Sequence, residues 1–321
     1  MFHADCLSCS DYEQPDKEMG RSEGGRSMTN KPLMIGSIML AAILLFSLIG
    51  PLIPSVQEGI KEQRMVFVDS TTYERAPFPP SLTYPFGSDQ DGKDILSLII
   101  IGAKDTLLLI FSITAIRYLA AILLTFLGLN KKSPFRLLIY GLNGFAASLP
   151  IIFAAILFIT MPMFTFSPNR IIWVIIFLSL TDVGRVAYII QQTMSSISHS
   201  QFVEAGVTVG NTSIGMFTRY YLPNLLPEIM VQFFMDLGKV ALLLGQLGIF
   251  SIFVSQVFVQ TGYGFGELQN TSMNWSTLLG MARSDILKGF WIPFFPALAL
   301  TLVIFTFNFI GEGLRQHYNR G

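Results

Sequence analysis

Runs of about twenty residues with almost no charge recur along this chain, and they leave few folds open. A helix needs about 20 apolar residues, at about 1.5 Å rise each, to cross a hydrocarbon layer roughly 30 Å thick. Residues 33–53 and 290–310 meet that requirement without a charge. Residues 106–129 meet it with one interruption, Arg117, residues 137–161 contain Pro150, and residues 171–190 contain Asp182 and Arg185. Residues 225–259 are long enough for a tilted or broken span and carry Glu228, Asp236 and Lys239. The expectation is an all-α integral membrane protein of about six transmembrane helices, with no window that reads as a soluble domain.

Composition agrees. Only 13% of the 321 residues are charged and 51% are hydrophobic, against about 25% charged in an average soluble domain. Lys+Arg and Asp+Glu each number 21, and the lack of a basic excess argues against nucleic acid as a partner. Cys6 and Cys9 form a C-x-x-C in a polar tail, with neither a βαβ context nor a second ligand pair, so redox and metal chemistry do not follow. His3, His199 and His317 are scattered, and nothing resembles a Ser/His/Asp triad, a metal cluster or a carboxylate pair. No catalytic residue and no metal site are expected.

Residues 1–27 are polar and unpatterned, whereas Met28 opens M-T-N-K-P-L-M-I-G, an ordinary start for a membrane protein. Codons GAA-GGA-GGA for Glu23, Gly24 and Gly25 would form a bacterial ribosome-binding site just upstream. Translation is therefore expected to begin at Met28, and residues 1–27 are set aside from fold reasoning. Residues 28–105 then hold a first span and an extracytoplasmic segment, and residues 106–321 a membrane core with a cytoplasmic loop at 200–223.

Loop charge sets the orientation. Lys131, Lys132 and Arg136 crowd the short loop 130–136, and Arg315 and Arg320 follow the last span, which places both termini and loop 200–223 inside. Arg170, Arg283 and Lys288 run against that count, while Trp173, Trp275 and Trp291 fall at or near the outer interface, where aromatic belts form. In the outer segment 54–104, Pro77, Pro79, Pro80 and Pro85 block regular structure across the middle. Residues 94–104 alternate as a short surface helix would. A second outer loop, 251–289, is rich in glycine near 262–266.

Residues 87–94, G-S-D-Q-D-G-K-D, approach the phosphate-binding pattern G-x-x-x-x-G-K-[ST]. Asp94 stands where a Mg²⁺-ligating hydroxyl is needed, a proline-rich stretch precedes in place of a strand, and the segment lies outside, away from cytosolic ATP; these argue against nucleotide binding. Residues 204–223 read E-A-G-V-T-V-G-N-T-S-I-G-M-F-T-R-Y-Y-L-P. Glu204, Ala205, Gly206, Gly210, Leu222 and Pro223 fall at the spacing of the E-A-A-x-x-x-G…L-P loop of ABC importer permeases, and the chain resembles that family. The run F-G-S-D-Q-D-G-K-D-I-L-S…I-G-A-K is similar to F-G-T-D-x-x-G-R-D-x-x-S-R…G-A-R of dipeptide and oligopeptide permeases, with Lys93, Lys104 and Leu98 at the arginine positions. Asn274-Trp275, then Phe290-Trp291, Pro293, Pro296 and F-N-F-I-G-E-G-L-R, resemble that family's ending, with Glu312 for its usual Asp. From about Leu33 to Arg315 the chain resembles the C-type permease subunit of dipeptide, oligopeptide and nickel importers.

The resemblance implies a type I ABC importer permease fold in a bacterial plasma membrane. It implies a second permease subunit completing a pore, two cytoplasmic ATPases and an extracytoplasmic substrate-binding protein. ATP and Mg²⁺ would sit on the partners, with no cofactor held by this chain and no catalysis by it. Loop 200–223 would be a coupling helix docked on an ATPase, and alternating access the mechanism. Peptides are the implied substrates, nickel or metal–chelator complexes the alternative. In the residues themselves, Gly206 and Gly210 allow another backbone to approach, Pro223 suits the first turn of the next helix, and Glu204 suits the positive end of a short helix. Gly206 replaces the family's second Ala and Tyr220 an aliphatic residue; Gly206 weakens a helix by about 1 kcal/mol against Ala, which predicts a looser or partner-tuned coupling helix.

Arg117 and Asp182 each lie about eleven residues from the outer start of their spans, Asp236 about eleven from an inner start, and Lys239 one turn further. All four fall near mid-membrane, where an unpaired charge costs roughly 2.5–3.5 kcal/mol. Asp236 and Lys239 share a helix face, leaving Arg117 and Asp182 as the cross-helix pair. They glue helices together or line the translocation path, and exchanging Arg117 with Asp182 is expected to restore part of what either Ala variant loses. Arg185 is expected to snorkel to the inner surface. Two other classes remain: an ion-coupled secondary transporter using these charges as a relay, which lacks an inverted-repeat pattern, and a non-transporting receptor or scaffold.

Overall fold

The computed structural model describes residues 30–67, 73–129, 133–262 and 265–319. The expected start at Met28, the cysteine pair, His3, Lys131, Lys132 and Arg320 lie outside the described residues. In chain order the elements are α1 (Lys31–Ile49), α2 (Pro54–Gly59), β1 (Met65–Phe67), β2 (Tyr73–Arg75), α3 (Ile95–Leu127), α4 (Pro134–Ser148), α5 (Ile151–Ile159), α6 (Pro162–Thr165), α7 (Arg170–Thr181), α8 (Val183–Ile197), α9 (Gln201–Thr208), α10 (Ser213–Met216), α11 (Leu222–Ile249), β3 (Gln256–Gly262), β4 (Phe265–Asn270), α12 (Trp275–Leu278), α13 (Ala282–Asp285) and α14 (Trp291–Tyr318).

Among the described residues, Lys31–Leu52, Ile95–Leu127, Arg170–Ile197 and Trp291–Tyr318 are long and apolar enough to cross a membrane, and Pro134–Ser148 with Ile151–Ile159 makes a fifth if that bent pair is one span. At 28 residues, α11 rises about 42 Å, more than a hydrocarbon core of roughly 30 Å, although its charges dilute its apolar character. The fold is that of an all-α membrane protein.

Several boundaries differ from the sequence expectation, each for a local reason. The short surface helix at 94–104 is the start of α3, which runs 33 residues from the Asp94 cap to Gly128. The span at 137–161 is broken by 96° between α4 and α5. Pro150 has no N–H to donate and pushes the residue before it out of the helical region, and Leu149 sits at φ −125°, ψ 132°. The span at 171–190 breaks at Asp182 (φ −115°, ψ 8°) into α7 and α8. α11 stops at Ile249, and the rest of the stretch to 259 belongs to the antiparallel hairpin β3–β4, with Gln256 opposite Asn270. Between α2 and α3, β1 pairs with β2, Met65 opposite Arg75. The Trp275 side chain packs inside the protein: it is 4% exposed and its indole donates to Ile99 O at 2.7 Å. Arg170 is buried too, its guanidinium donating to Phe253 O (2.9 and 3.1 Å) and Ile159 O (3.2 Å).

The C-terminal motif has a packing role. A Cβ on Gly313 would lie 2.5 Å from Leu33 N, and one on Gly36 2.8 Å from Ile310 N, so α1 and α14 meet backbone to backbone. Asn30 Nδ2 joins them by donating to Gly313 O at 2.5 Å. Two apolar clusters result. One gathers Ile110, Ile113, Leu178, Val240, Leu244 and Val303; the other gathers Tyr118, Ala121, Val186, Ala187, Leu225 and Ile229. α3, the α7–α8 pair and α11 each pass from one cluster to the other, and at the passage they carry Arg117, Asp182 with Arg185, and Asp236 with Lys239.

Candidate functional site

The charged centre begins with the break at Asp182. A helix end leaves its last carbonyls without intrahelical partners, and α7 ends inside the bundle. Arg117, 2% exposed on α3, fills that need: Nη2 donates to Leu178 O at 2.9 Å and Nε to Ser179 O at 3.4 Å. A cation also suits the negative end of the helix dipole. Arg117 Nη1 lies 3.6 Å from Asp182 Oδ2. Arg185 does not snorkel outward. Its Nε donates to both Asp182 oxygens at 2.9 Å, its Nη2 also contacts Asp182, and Nη2 reaches Asp236 Oδ1 at 3.0 Å. Lys239 Nζ joins Asp236 Oδ1 at 2.9 Å, and the Tyr118 hydroxyl donates to Asp236 Oδ2 at 3.2 Å.

Sequence reasoning placed Arg117, Asp182, Asp236 and Lys239 at one depth and missed Arg185 as the link between their two pairs. It also missed Tyr118. The only available signal for Arg185 was its i, i+3 spacing from Asp182. This geometry reverses the expectation for the Arg117–Asp182 exchange. An aspartate at 117 has no donors for Leu178 O and Ser179 O, and an arginine at 182 would face Arg185. The double exchange is expected to express no better than Arg117→Ala, measured as detergent-extracted protein eluting as a single species.

Beside this centre lies a cavity of about 430 Å³, whose walls include Arg117, Asp182, Arg185, Lys239, Gln246 and Pro150 at the break between α4 and α5.

The second candidate region is loop 200–223. Ser200 is extended (φ −80°, ψ 141°), so α9 starts there, with Glu204 in its first turn. Gly210 ends it at φ +80°, a left-handed conformation that glycine adopts without strain. α10 and a π-helical turn, Phe217–Tyr221, lead into α11, with Pro223 in its first turn. Val203 and Gly206 face inward, while Glu204, Ala205, Phe202, Val207 and Val209 are exposed. Leu222 is half-buried at the junction.

The two departures from the family pattern explain each other. A Cβ on Gly206 would lie 2.9 Å from the Tyr220 ring and 3.0 Å from Met216 Sδ. Asn211 Nδ2 then ties Gly206 O (3.0 Å) to the Tyr220 hydroxyl (3.4 Å). Gly206 is therefore not free for an outside backbone, and the helix is braced, not loosened. Of the two, Gly210 has open space where its Cβ would be. Gly206→Ala alone should loosen the loop, and adding Tyr220→Leu should recover it, with an interaction energy of about 1 kcal/mol in a double-mutant cycle of thermal stability. Strict additivity would mean the two positions do not compensate.

The Gly87–Asp94 turn is unlike a phosphate cradle. Asp94 Oδ2 caps α3 by accepting from Ser97 N at 2.9 Å, and Asp89 Oδ1 accepts from Asp91 N (2.9 Å) and Lys93 N (2.8 Å). Carboxylates occupy the places an anion would need. Burial pushes the Asp89 carboxyl above its usual range against those hydrogen bonds.

Residues 118–321 match the family described as "Binding-protein-dependent transport system inner membrane component". The chain belongs to that family. It is 26% identical over 291 residues to the oligopeptide transport system permease protein OppC of Escherichia coli K12, covering 91% of this chain and 87% of that protein. The Haemophilus influenzae OppC is likewise 26% identical over 297 residues, covering 91% and 85%. The glutathione transport system permease protein GsiD of Shigella flexneri is 25% identical over 250 residues, covering 76% and 74%. This is an ABC transporter permease of the dipeptide and oligopeptide importer group, and a multi-pass membrane protein.

Proposed function

We propose that this permease is the membrane subunit through which partner ATPases drive peptide import. The observation that carries the reading is α9: an eight-residue helix braced from within by Val203, Gly206 and Tyr220, with Phe202, Val207 and, just past its end, Val209 exposed among the described residues. Such an exposed apolar set suits docking into a groove of an ATPase. α9 joins α11 through the π-helical turn, and α11 carries Asp236 and Lys239. Movement of α9 would thus reach the charged centre along one helix. Loop 200–223 and both termini would face the cytoplasm, a second permease would complete the path, and a binding protein would deliver substrate from outside. ATP and Mg²⁺ would be held by the ATPases. Peptides are favoured over nickel or metal–chelator complexes because the relatives' names specify oligopeptides and glutathione.

The test is uptake of labelled peptide by cells or vesicles under a maintained proton gradient. Uptake is expected to stop when ATP is depleted. Uptake that persists without ATP would instead make Arg117, Asp182, Asp236 and Lys239 the relay of an ion-coupled carrier.

A further inference from the structure

We infer that the cavity beside the charged centre is a transit site for the carboxylate of the substrate, with Lys239 as the residue that meets it. The inference rests on the proposed import function and adds to it a selectivity for the anionic end of a peptide.

The charges do not balance. Arg117, Arg185 and Lys239 share two carboxylates: Asp182 serves both arginines, and Asp236 serves Arg185 and Lys239. One positive charge is left over at a depth where charge is costly. Glu228, the other acid on α11, lies eight residues away, about 12 Å along the axis.

Exposure decides which sign a visitor would meet. The Asp182 and Asp236 side chains are 2% and 1% exposed, whereas those of Arg185 and Lys239 are 27% and 55% exposed. The carboxylates are sealed beneath the cations that hold them. An ammonium has three N–H donors, and Asp236 takes one from Lys239. The cavity of about 430 Å³ has room for several residues' worth of atoms at one time, and Gln246, two turns along α11 from Lys239, adds a neutral polar wall. Pro150, at the break between α4 and α5, lines the same cavity. A carboxylate here gains a charge-assisted hydrogen bond from the exposed Lys239 ammonium. A neutral terminus of the same shape gains far less.

The experiment uses the complete transporter in proteoliposomes, both permeases with ATPases and binding protein, and compares ATP-driven uptake of a labelled alanine tripeptide as the free acid and as its C-terminal amide. The binding protein is the same throughout, so its own preference cancels between variants. Lys239→Gln is expected to shift the acid-to-amide uptake ratio toward the amide by about tenfold, and Lys239→Arg to keep the wild-type ratio. Gln246→Glu places a carboxylate on the same wall, two turns along α11 from Lys239, without replacing any ion-pair member, and should shift the ratio the same way. It decides the matter even if Lys239→Gln fails to assemble. An unchanged ratio in Gln246→Glu and in any assembled Lys239→Gln would overturn the inference while leaving peptide import standing. A wild-type complex that moves neither peptide with ATP would remove the import reading, and this inference with it.

Discussion

Asp236→Ala is expected to abolish accumulation of the folded protein. The Asp236 carboxylate takes Arg185, Lys239 and the Tyr118 hydroxyl at 3.0, 2.9 and 3.2 Å, and the residue itself is fully buried. Its loss leaves Arg185 with Asp182 alone, takes the partner from half-exposed Lys239 and strands the Tyr118 phenol. Breaking a buried ion pair from one side costs about 3–5 kcal/mol, a large share of the about 5–15 kcal/mol that holds a typical domain folded. Lys239→Ala removes a half-exposed partner and should be much milder. The measurement is the yield of monodisperse protein in detergent for each variant. Equal yields for Asp236→Ala and Lys239→Ala would show that burial of the carboxylate does not decide stability here.

The second large effect belongs to the α1–α14 contact. Gly313→Val would drive a side chain into the backbone of Leu33, whose N, Cα and Cβ lie 2.5–2.6 Å from the glycine's would-be Cβ. Backbone cannot yield as a side-chain tip does, so α1 must move away and the Asn30–Gly313 hydrogen bond is lost with it. Overpacking of this kind costs about 1–3 kcal/mol. A cysteine placed on the buried side of α1, at Ser47, should become reactive to a thiol reagent in the variant and stay protected otherwise. Gly141→Ala is the control, because nothing lies within 4 Å of that position's Cβ. If Gly313→Val leaves Ser47→Cys protected, α1 is held by something other than this contact.

Much of the architecture was legible because membrane spans are read from length and apolarity, which need no partner information. The short helix of loop 200–223 and the glycine that ends it were legible because their spacing is local. The charges at one depth were legible by counting along each helix. What escaped was rotational and long-range. Arg185 looked like a residue near a span's inner end because Asp236, its second partner, is 51 positions away. The break at Asp182 has no proline to announce it, and Arg117's role as the cap of α7 follows only once that break is known. Pro150 was visible, but a proline alone does not fix a 96° turn. The hairpin β3–β4 was hidden in a segment that began as an apolar continuation of α11. Gly206 and Tyr220 read singly as two departures from a pattern, and together as one packing solution.

The most direct test of the central claim is affinity purification of the tagged protein from its native membrane, wild type beside a Glu204→Ala/Gly210→Trp variant, with mass spectrometry of the proteins that come along. A tryptophan cannot easily adopt the left-handed conformation Gly210 holds, so α9 should lose its end and its fit. The account predicts two ATPases and a second permease with the wild type, and the second permease without the ATPases in the variant. No ATPase in either sample would contradict it.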